Sequence, residues 1–380
     1  MNDASHNHGE QENTVSTYSV DVETLQQIAL KGDAQALFQL AINYEQGRGV
    51  AENQQEAFYC YQQAAELGHV TAQLNLGWAY SNGIGAPQDN DKAFYWYRKA
   101  AEQGHPTAQF DLGFCYVNGL GVEKDEHQAI GWYKKAAEQG HAVAQLNLGW
   151  IYANSPSRKN WEQAVYWYKQ AAEQGDPRAQ DNLAWCYGNG SGTPKNPRKA
   201  AYWYEEAAMQ NHATAQYNLG WCYENGFGVE PDLDKALVWY HKSALQGQIT
   251  AQYTLGWCYG NGRGMEVDMA KAVHWYTKAA EQGHTTAQLN LGWCHLNGKG
   301  TPVNREEALK WYLKAAEQGN ATAMFNVGNC YAHGYGIEQD DKQAEEWYQK
   351  AVRHGNKKAA SALRHLASKQ EKEKQTDEET

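Results

Sequence analysis

Apolar and polar positions alternate along this chain with helical spacing, in short blocks that recur. In Ala215-Gln216-Tyr217-Asn218-Leu219-Gly220-Trp221-Cys222-Tyr223, positions 0, +4 and +8 are Ala, Leu and Tyr, one face of a helix. From Lys235 to about Gln246 a second pattern places Ala236, Trp239, Tyr240 and Ala244 on a shared face. A glycine turn, Gly226-Phe227-Gly228, separates the two. Another glycine follows the second pattern at Gly68, Gly104, Gly140, Gly175, Gly247, Gly283 and Gly319, where it suits a left-handed C-terminal cap. The pattern predicts a helix–turn–helix unit and no strand.

The unit repeats. Ala36, Ala72, Ala108, Ala144, Ala179, Ala215, Ala251, Ala287, Ala323 and Ala359 recur every 36 residues, except that Ala144 and Ala179 are 35 apart. A fixed period of this size, held over nine copies, is the signature of a solenoid. Small pairs such as Ala64-Ala65, Ala136-Ala137 and Ala279-Ala280 let helices approach closely. The column Tyr61, Tyr97, Tyr133, Tyr168, Tyr204, Tyr240, Tyr276, Tyr312 and Tyr348 fills what remains. Burying each ring contributes about 1.5–3 kcal/mol. The expected fold is all-α: an α/α solenoid of helix–turn–helix repeats, wound as a right-handed superhelix, with no sheet.

The ends are of a different kind. Residues 1–20 are polar, without an apolar run of the secretory type, and read as an unstructured tail. Val22 to Leu30 and Ala359 to Ala367 read as short capping helices on a solenoid spanning 21–367, and 368–380 as a charged, unstructured tail. Repeat four departs from the rest, with Asn154 to Trp161 and its Pro156 in place of the glycine turn. An altered turn is expected there.

The run Ala-Gln-x-Asn-Leu-Gly-Trp-Cys-Tyr-x-Asn-Gly-x-Gly, followed by Lys-Ala-x-x-Trp-Tyr-x-Lys-Ala-Ala-Glu-Gln-Gly-His, resembles the Sel-1-like repeat family, relatives of the tetratricopeptide repeats. Ala287 to Gly300 and Lys92 to His105 show it plainly. The likeness spans roughly residues 33 to 367. It implies an α/α solenoid with adaptor or scaffold roles, and no reaction. Some secreted relatives bridge two cysteines within each repeat. Here a repeat holds at most one.

Formal net charge is −11 and the pI about 5.7. An acidic chain lacks the basic stripe that a nucleic-acid backbone needs. Mean hydropathy is −0.80, and no stretch is apolar enough to span a bilayer. The expectations are a cytoplasmic protein, or alternatively an exported effector without a recognisable signal peptide, and a monomer with a protein or peptide partner.

Catalytic chemistry finds no foothold in the sequence. No serine, histidine and carboxylate set recurs as a nucleophilic constellation, so no enzyme activity and no cofactor are expected. Cys115, Cys186, Cys222, Cys258, Cys294 and Cys330 share position +7, with Cys60 elsewhere. Stacked helix axes stand about 8–10 Å apart, too far for an easy disulfide, so these read as small packing residues. His69, His105, His141, His212 and His284 follow the second helix and read as turn residues near its C-terminal dipole. They do not have zinc spacing, so no metal is expected.

The columns pointing away from the core carry the binding reading. At about 100° per residue, +6 falls near 240° and +2 near 200°, almost opposite the Ala/Leu/Tyr face. Position +6 holds Trp78, Phe114, Trp150, Trp185, Trp221, Trp257 and Trp293. Position +2 includes Leu74, Phe110, Leu146, Tyr217, Tyr253, Leu289 and Phe325. Asparagines flank them at +3 (Asn75, Asn147, Asn182, Asn218, Asn290, Asn326) and +10 (Asn82, Asn118, Asn154, Asn189, Asn225, Asn261, Asn297). In tetratricopeptide folds the first helices line the concave surface, so the resemblance implies a groove of indoles edged by amides. Indole offers a rigid face with little entropy to lose, and an amide satisfies a peptide backbone. The expected occupant is a peptide or partner protein; a carbohydrate or peptidoglycan strand is the alternative that aromatic platforms also suit.

Overall fold

A computed structural model describes residues 21–154 and 159–378. The tail expected over 1–20 lies outside them, as do residues 155–158 of the repeat-four turn. Twenty helices and no strand occur among the described residues. The fold is the all-α solenoid of helix–turn–helix repeats that the pattern predicts. The chain divides into two compact units, Met1–Gln174 and Gly175–Thr380. The repeat phase runs unchanged past this point, so the sequence reading draws one span over 21–367.

In the first unit, α1 (Val22–Ala29) precedes four pairs: α2 (Ala34–Gln46) with α3 (Gln54–Glu66), α4 (Val70–Asn82) with α5 (Asn90–Glu102), α6 (Pro106–Asn118) with α7 (Glu126–Glu138), and α8 (Ala142–Asn154) with α9 (Trp161–Glu173). The second unit has five: α10 (Pro177–Asn189) with α11 (Pro197–Met209), α12 (Ala213–Asn225) with α13 (Leu233–Leu245), α14 (Ile249–Asn261) with α15 (Met269–Glu281), α16 (Thr285–Asn297) with α17 (Arg305–Glu317), and α18 (Ala321–His333) with α19 (Asp341–Arg353). It ends in α20 (Lys357–Glu378). The residues from Ser368 to Glu378, read as unstructured, continue this helix. Lysine, glutamate and glutamine are good helix formers, and extending a helix already begun costs far less than nucleating one. Lys369 also reaches Asp341 at 2.9 Å.

Each second helix begins at an Asx residue in extended conformation. Asp232, at φ −151° and ψ 98°, accepts from the Lys235 amide, and Asn53, Asp89, Asp125, Asn160, Asn196, Asp268, Asn304 and Asp340 do the same job. The first helices of the nine repeats, α8 excepted, end on a left-handed glycine: Gly226, at φ 66°, returns its N–H to the Cys222 carbonyl. The second turn glycine is a close approach, since a Cβ on Gly228 would run into the Pro197 carbonyl.

One hydrogen bond closes every repeat's turn. Asp125 N–H meets the Tyr116 carbonyl at 3.1 Å, Asp232 that of Tyr223 at 2.9 Å, and Asp268 that of Tyr259 at 2.9 Å, in each case nine residues back. In repeat four the same bond joins Asn160 to Tyr152 at 2.7 Å, eight residues back. The missing residue is absorbed inside the turn, and α8 and α9 keep the thirteen residues of their counterparts.

All nine column tyrosines are buried. In seven repeats glycine at +5 makes room for the ring; repeats one and five have Ala41 and Ala184 there. A Cβ on Gly220 would stand 2.7 Å from Cδ1 of Tyr240, and one on Gly256 2.6 Å from Cδ1 of Tyr276. The ring therefore lies flat on the first-helix backbone, and the alanine pairs beside it are inaccessible to solvent.

Candidate functional site

The tryptophans at +6 stand in the open. Trp150, Trp185, Trp221, Trp257 and Trp293 are 46%, 43%, 43%, 39% and 47% exposed, and Phe114 44%. Trp78 is half-buried. Each is mid-way along a thirteen-residue helix whose opposite face is fixed in the core, so the backbone beneath the indoles is held firmly. Of the first helices, α4, α8, α14, α16 and α18 contain no Asp, Glu, Lys or Arg, whereas α10 and α12, which carry Trp185 and Trp221, hold Arg178, Asp181 and Glu224.

The +10 asparagines serve the tryptophans from behind. Nδ2 of Asn154, Asn189, Asn225, Asn261 and Asn297 donates to the carbonyl of the +6 tryptophan one turn earlier, at 2.8–3.0 Å. Each bond is a second one on a carbonyl that the helix already pairs with the backbone N–H of the same asparagine. Asn82 and Asn118 repeat the bond on Trp78 and Phe114.

The +2 and +3 columns lie deeper than their helical angle suggests. Leu74, Phe110 and Leu146 are buried. Tyr217 and Tyr253 are half-buried, their rings 5.4 Å from Tyr240 and 6.0 Å from Tyr276. His284 stacks on Tyr253 at 4.5 Å. Among the +3 amides, Asn147 bonds the Tyr133 hydroxyl, and Asn290 bonds those of Tyr253 and Tyr276. Asn218 donates to Asp181 at 3.0 Å, and Asn182 is half-buried. Inside each unit a first helix such as α12 packs against the second helix of its own repeat and of the one before, so its covered arc is wider than one core stripe. Of the residues singled out, the +6 column apart from half-buried Trp78, and the +10 asparagines beside it, face solvent.

Asp181 occupies +2 of repeat five, where other repeats carry Leu, Phe or Tyr. Burial raises its carboxyl above the usual range, opposed by nearby His212 and by the bond from Asn218.

The cysteines are free and buried, as packing residues should be. Burial pushes the thiols of Cys115, Cys186 and Cys222 up to about 12, and those of Cys60, Cys258, Cys294 and Cys330 up to about 11, so none is a ready thiolate. The histidines do more than the sequence suggests. Nδ1 of His69, His141, His212 and His284 accepts the amide of the marker alanine three residues on, at 3.1–3.3 Å. They cap the next helix rather than ending the previous one. Among the described residues, no group of three or more His, Cys, Asp or Glu side chains is arranged to hold a metal.

Two features escape a reading by columns. The +1 glutamines are buried and link three helices. Gln216 donates to the Ala208 carbonyl at 3.1 Å and accepts from Gln246 at 2.7 Å; Gln252 does so with Ala244 at 3.1 Å and Gln282 at 2.8 Å. Gln109 and Gln145 do the same in the first unit. The recurring Gln-Gly and Ala-Gln motifs are the only trace in the sequence, because the bonds join residues 30 apart. Second, a tryptophan series on the second helices is covered by lysine: Lys135 lies 3.7 Å from the Trp132 ring centre, and Lys242 4.2 Å from that of Trp239.

The family model described as Sel1 repeat matches nine consecutive segments: 34–69, 70–105, 106–141, 142–176, 177–212, 213–248, 249–284, 285–320 and 321–356. Among solved structures, the chain is similar to c5321, a protective antigen present in uropathogenic Escherichia coli strains, with 31% identity over 92% of this chain and 91% of that one and a TM-score of 0.59. It is also similar to a Sel1 repeat protein from Oxalobacter formigenes, with 32% identity over 82% of this chain and 96% of that one and a TM-score of 0.65. A comparison with curated proteins finds no match.

Proposed function

This chain belongs to the Sel1 repeat family, whose members are generally protein-interaction scaffolds, and on that premise we propose that it holds a peptide or partner protein along its first-helix face. The observation that carries the reading is the exposed +6 column of the second unit, in which Trp185, Trp221, Trp257 and Trp293 are 39–47% exposed. Large apolar surface of this kind on a soluble protein marks an interaction site. Exposed rings favour an occupant recognised by ring contact and shape, with affinity concentrated in the central aromatic anchors. The reading involves no reaction, cofactor or nucleic acid.

The test is a pull-down from the native cell with the wild-type chain and with Trp185, Trp221 and Trp257 all changed to alanine, beside a melting curve of each. Loss of the partner with an unchanged melt supports the reading. Equal recovery by both chains overturns it.

A further inference from the structure

The tryptophan column stops at repeat nine, where Asn329 occupies +6. A cavity of about 210 Å³ lies at this point, lined by Leu296, Asn326, Asn329, Cys330, His333 and Tyr335. These are the +9 residue of repeat eight and the +3, +6, +7, +10 and turn positions of repeat nine. Repeat six shows what a ring at +6 does in this setting, because Trp221 packs on its turn residue Phe227 with ring centres 5.4 Å apart. Repeat nine keeps the aromatic turn residue, Tyr335, and lacks the ring at +6. Its Tyr335 is faced instead by His333 at 5.3 Å and by the Arg305 guanidinium at 4.8 Å.

The geometry points to this cavity as a receptor for one aromatic side chain of the partner, tryptophan or tyrosine, inserted where the fold supplies no ring of its own. The size is suitable, since an apolar cavity of about 150 Å³ accommodates benzene. The buried thiol of Cys330 and the side chain of Leu296 give it an apolar lining, and Tyr335 adds a ring to stack on. Its polar atoms select a ring bearing a hydrogen-bond donor. His333 Nδ1 is engaged by the Asn329 carbonyl at 2.9 Å, which fixes Nδ1 as the protonated nitrogen of the neutral ring and Nε2 as the acceptor. Asn329 Oδ1 accepts from the Tyr348 hydroxyl at 2.8 Å. His333 Nε2 is therefore the acceptor that meets an indole N–H or a phenol O–H, and the Asn329 amide donors can meet only a phenol oxygen. The inference rests on the scaffold reading for the guest being part of a protein, and it adds a residue class to that partner.

The experiment titrates the full chain with N-acetyltryptophanamide, N-acetyltyrosinamide and N-acetylleucinamide, following the side-chain amide signals of Asn326 and Asn329 by NMR. The expected result is saturable shifts with the two aromatic amides, with Kd on the order of 1 mM, and none with the leucine amide. Asn329→Trp, which brings in the residue most other repeats carry, gives up the Tyr348 hydroxyl's acceptor. It should still fold, checked by its melt, and lose the binding. Asn329→Phe, which copies Phe114 of repeat three, serves where the indole does not fit. Absence of shifts in the wild type, equal shifts with the leucine amide, or full binding by a folded filled variant overturns the inference. The probes require no partner, so failure here leaves the pull-down result standing, and failure of the pull-down leaves this one readable.

Discussion

Asn225 donates its side-chain amide to the backbone carbonyl of Trp221 at 2.9 Å, so the residue that ends the helix also secures the backbone under its exposed indole. The bond recurs along the column. Asn225→Ala removes it, leaves the carbonyl with its helical N–H bond alone, and should lower stability by about 0.5–1 kcal/mol. A melting curve measures this. An unchanged melt would show that solvent replaces the amide without loss.

Exposed and buried aromatics should separate cleanly in their effects. Trp221→Ala and Trp257→Ala are each expected to lose about 2 kcal/mol or more of partner affinity with little change in melting. Tyr240→Ala, removing a ring only 1% exposed, should lower stability by about 3–5 kcal/mol. Binding isotherms beside melting curves decide it. If Trp221→Ala melts as early as Tyr240→Ala, the indoles are structural.

Gly220 tests the packing of that tyrosine from the other side. The added methyl of Gly220→Ala meets the ring, and overpacking should cost about 1–3 kcal/mol. Repeat five accommodates the change naturally: it carries Ala184 at this position, and its Tyr204 is 8% exposed against 1% for Tyr240. A Gly220→Ala chain that melts like wild type would show that the neighbouring repeats yield as repeat five does.

The nine-fold phase, the tyrosine core and the glycine turns were legible in the sequence because each follows from spacing within one or two helices. The angular reading of the first helix was less successful. Trp221 at +6 and Tyr217 at +2 differ by only about 40° on a wheel, yet one is exposed and the other sits half-buried against Tyr240. A wheel assumes one covered stripe, whereas a helix in a stack is covered on two sides. The glutamine bonds were invisible for a related reason: Gln246 and Gln216 meet only once the helices are in place. The cavity beside Asn329 was likewise visible only as a missing tryptophan.

The histidine caps predict acid sensitivity. Burial lowers the pKa of His284 below its ordinary 6.5, and its Nδ1 must stay unprotonated to accept from Ala287. The unfolded chain then binds the proton more readily than the folded one. The stability His284 contributes is therefore present above about pH 6.5 and lost as pH falls through the lower folded value. Asn320 makes the same cap in the next repeat at 2.9 Å. His284→Asn should keep the cap, worth about 1 kcal/mol, and show a smaller fall in Tm between pH 7.5 and pH 5.5, taken as about two units across the imidazole range. An unchanged pH profile would exclude His284 as a source of the sensitivity.

Asp181 has the opposite sign. Its raised pKa means the folded chain holds the proton more readily, so the carboxyl is tolerated at low pH and becomes costly as pH rises through the folded value. Asp181→Asn keeps an acceptor for Asn218 and removes the charge. It should melt later than wild type near neutral pH, by roughly 1 kcal/mol, and lose the advantage in acid. A variant that melts earlier at every pH would show that the charge is stabilised by its surroundings.

The glutamine relay makes length a discrete variable. Repeats five to eight of the second unit carry the same glutamine at +1, so a whole repeat among them can be removed with the relay still matched, although without repeat six Asp181 loses Asn218 and Arg263 loses Glu224. Excising residues 213–248 would bring Gln252 onto the Ala208 carbonyl in place of that of Ala244, leave the Gln282 bond to Gln252 as it is, and set His212 as the cap of α14 in place of Gln248. A cut of half a unit matches nothing. Such a chain can shorten or lengthen only in steps of one full repeat, and with each step the run of indoles gains or loses a rung.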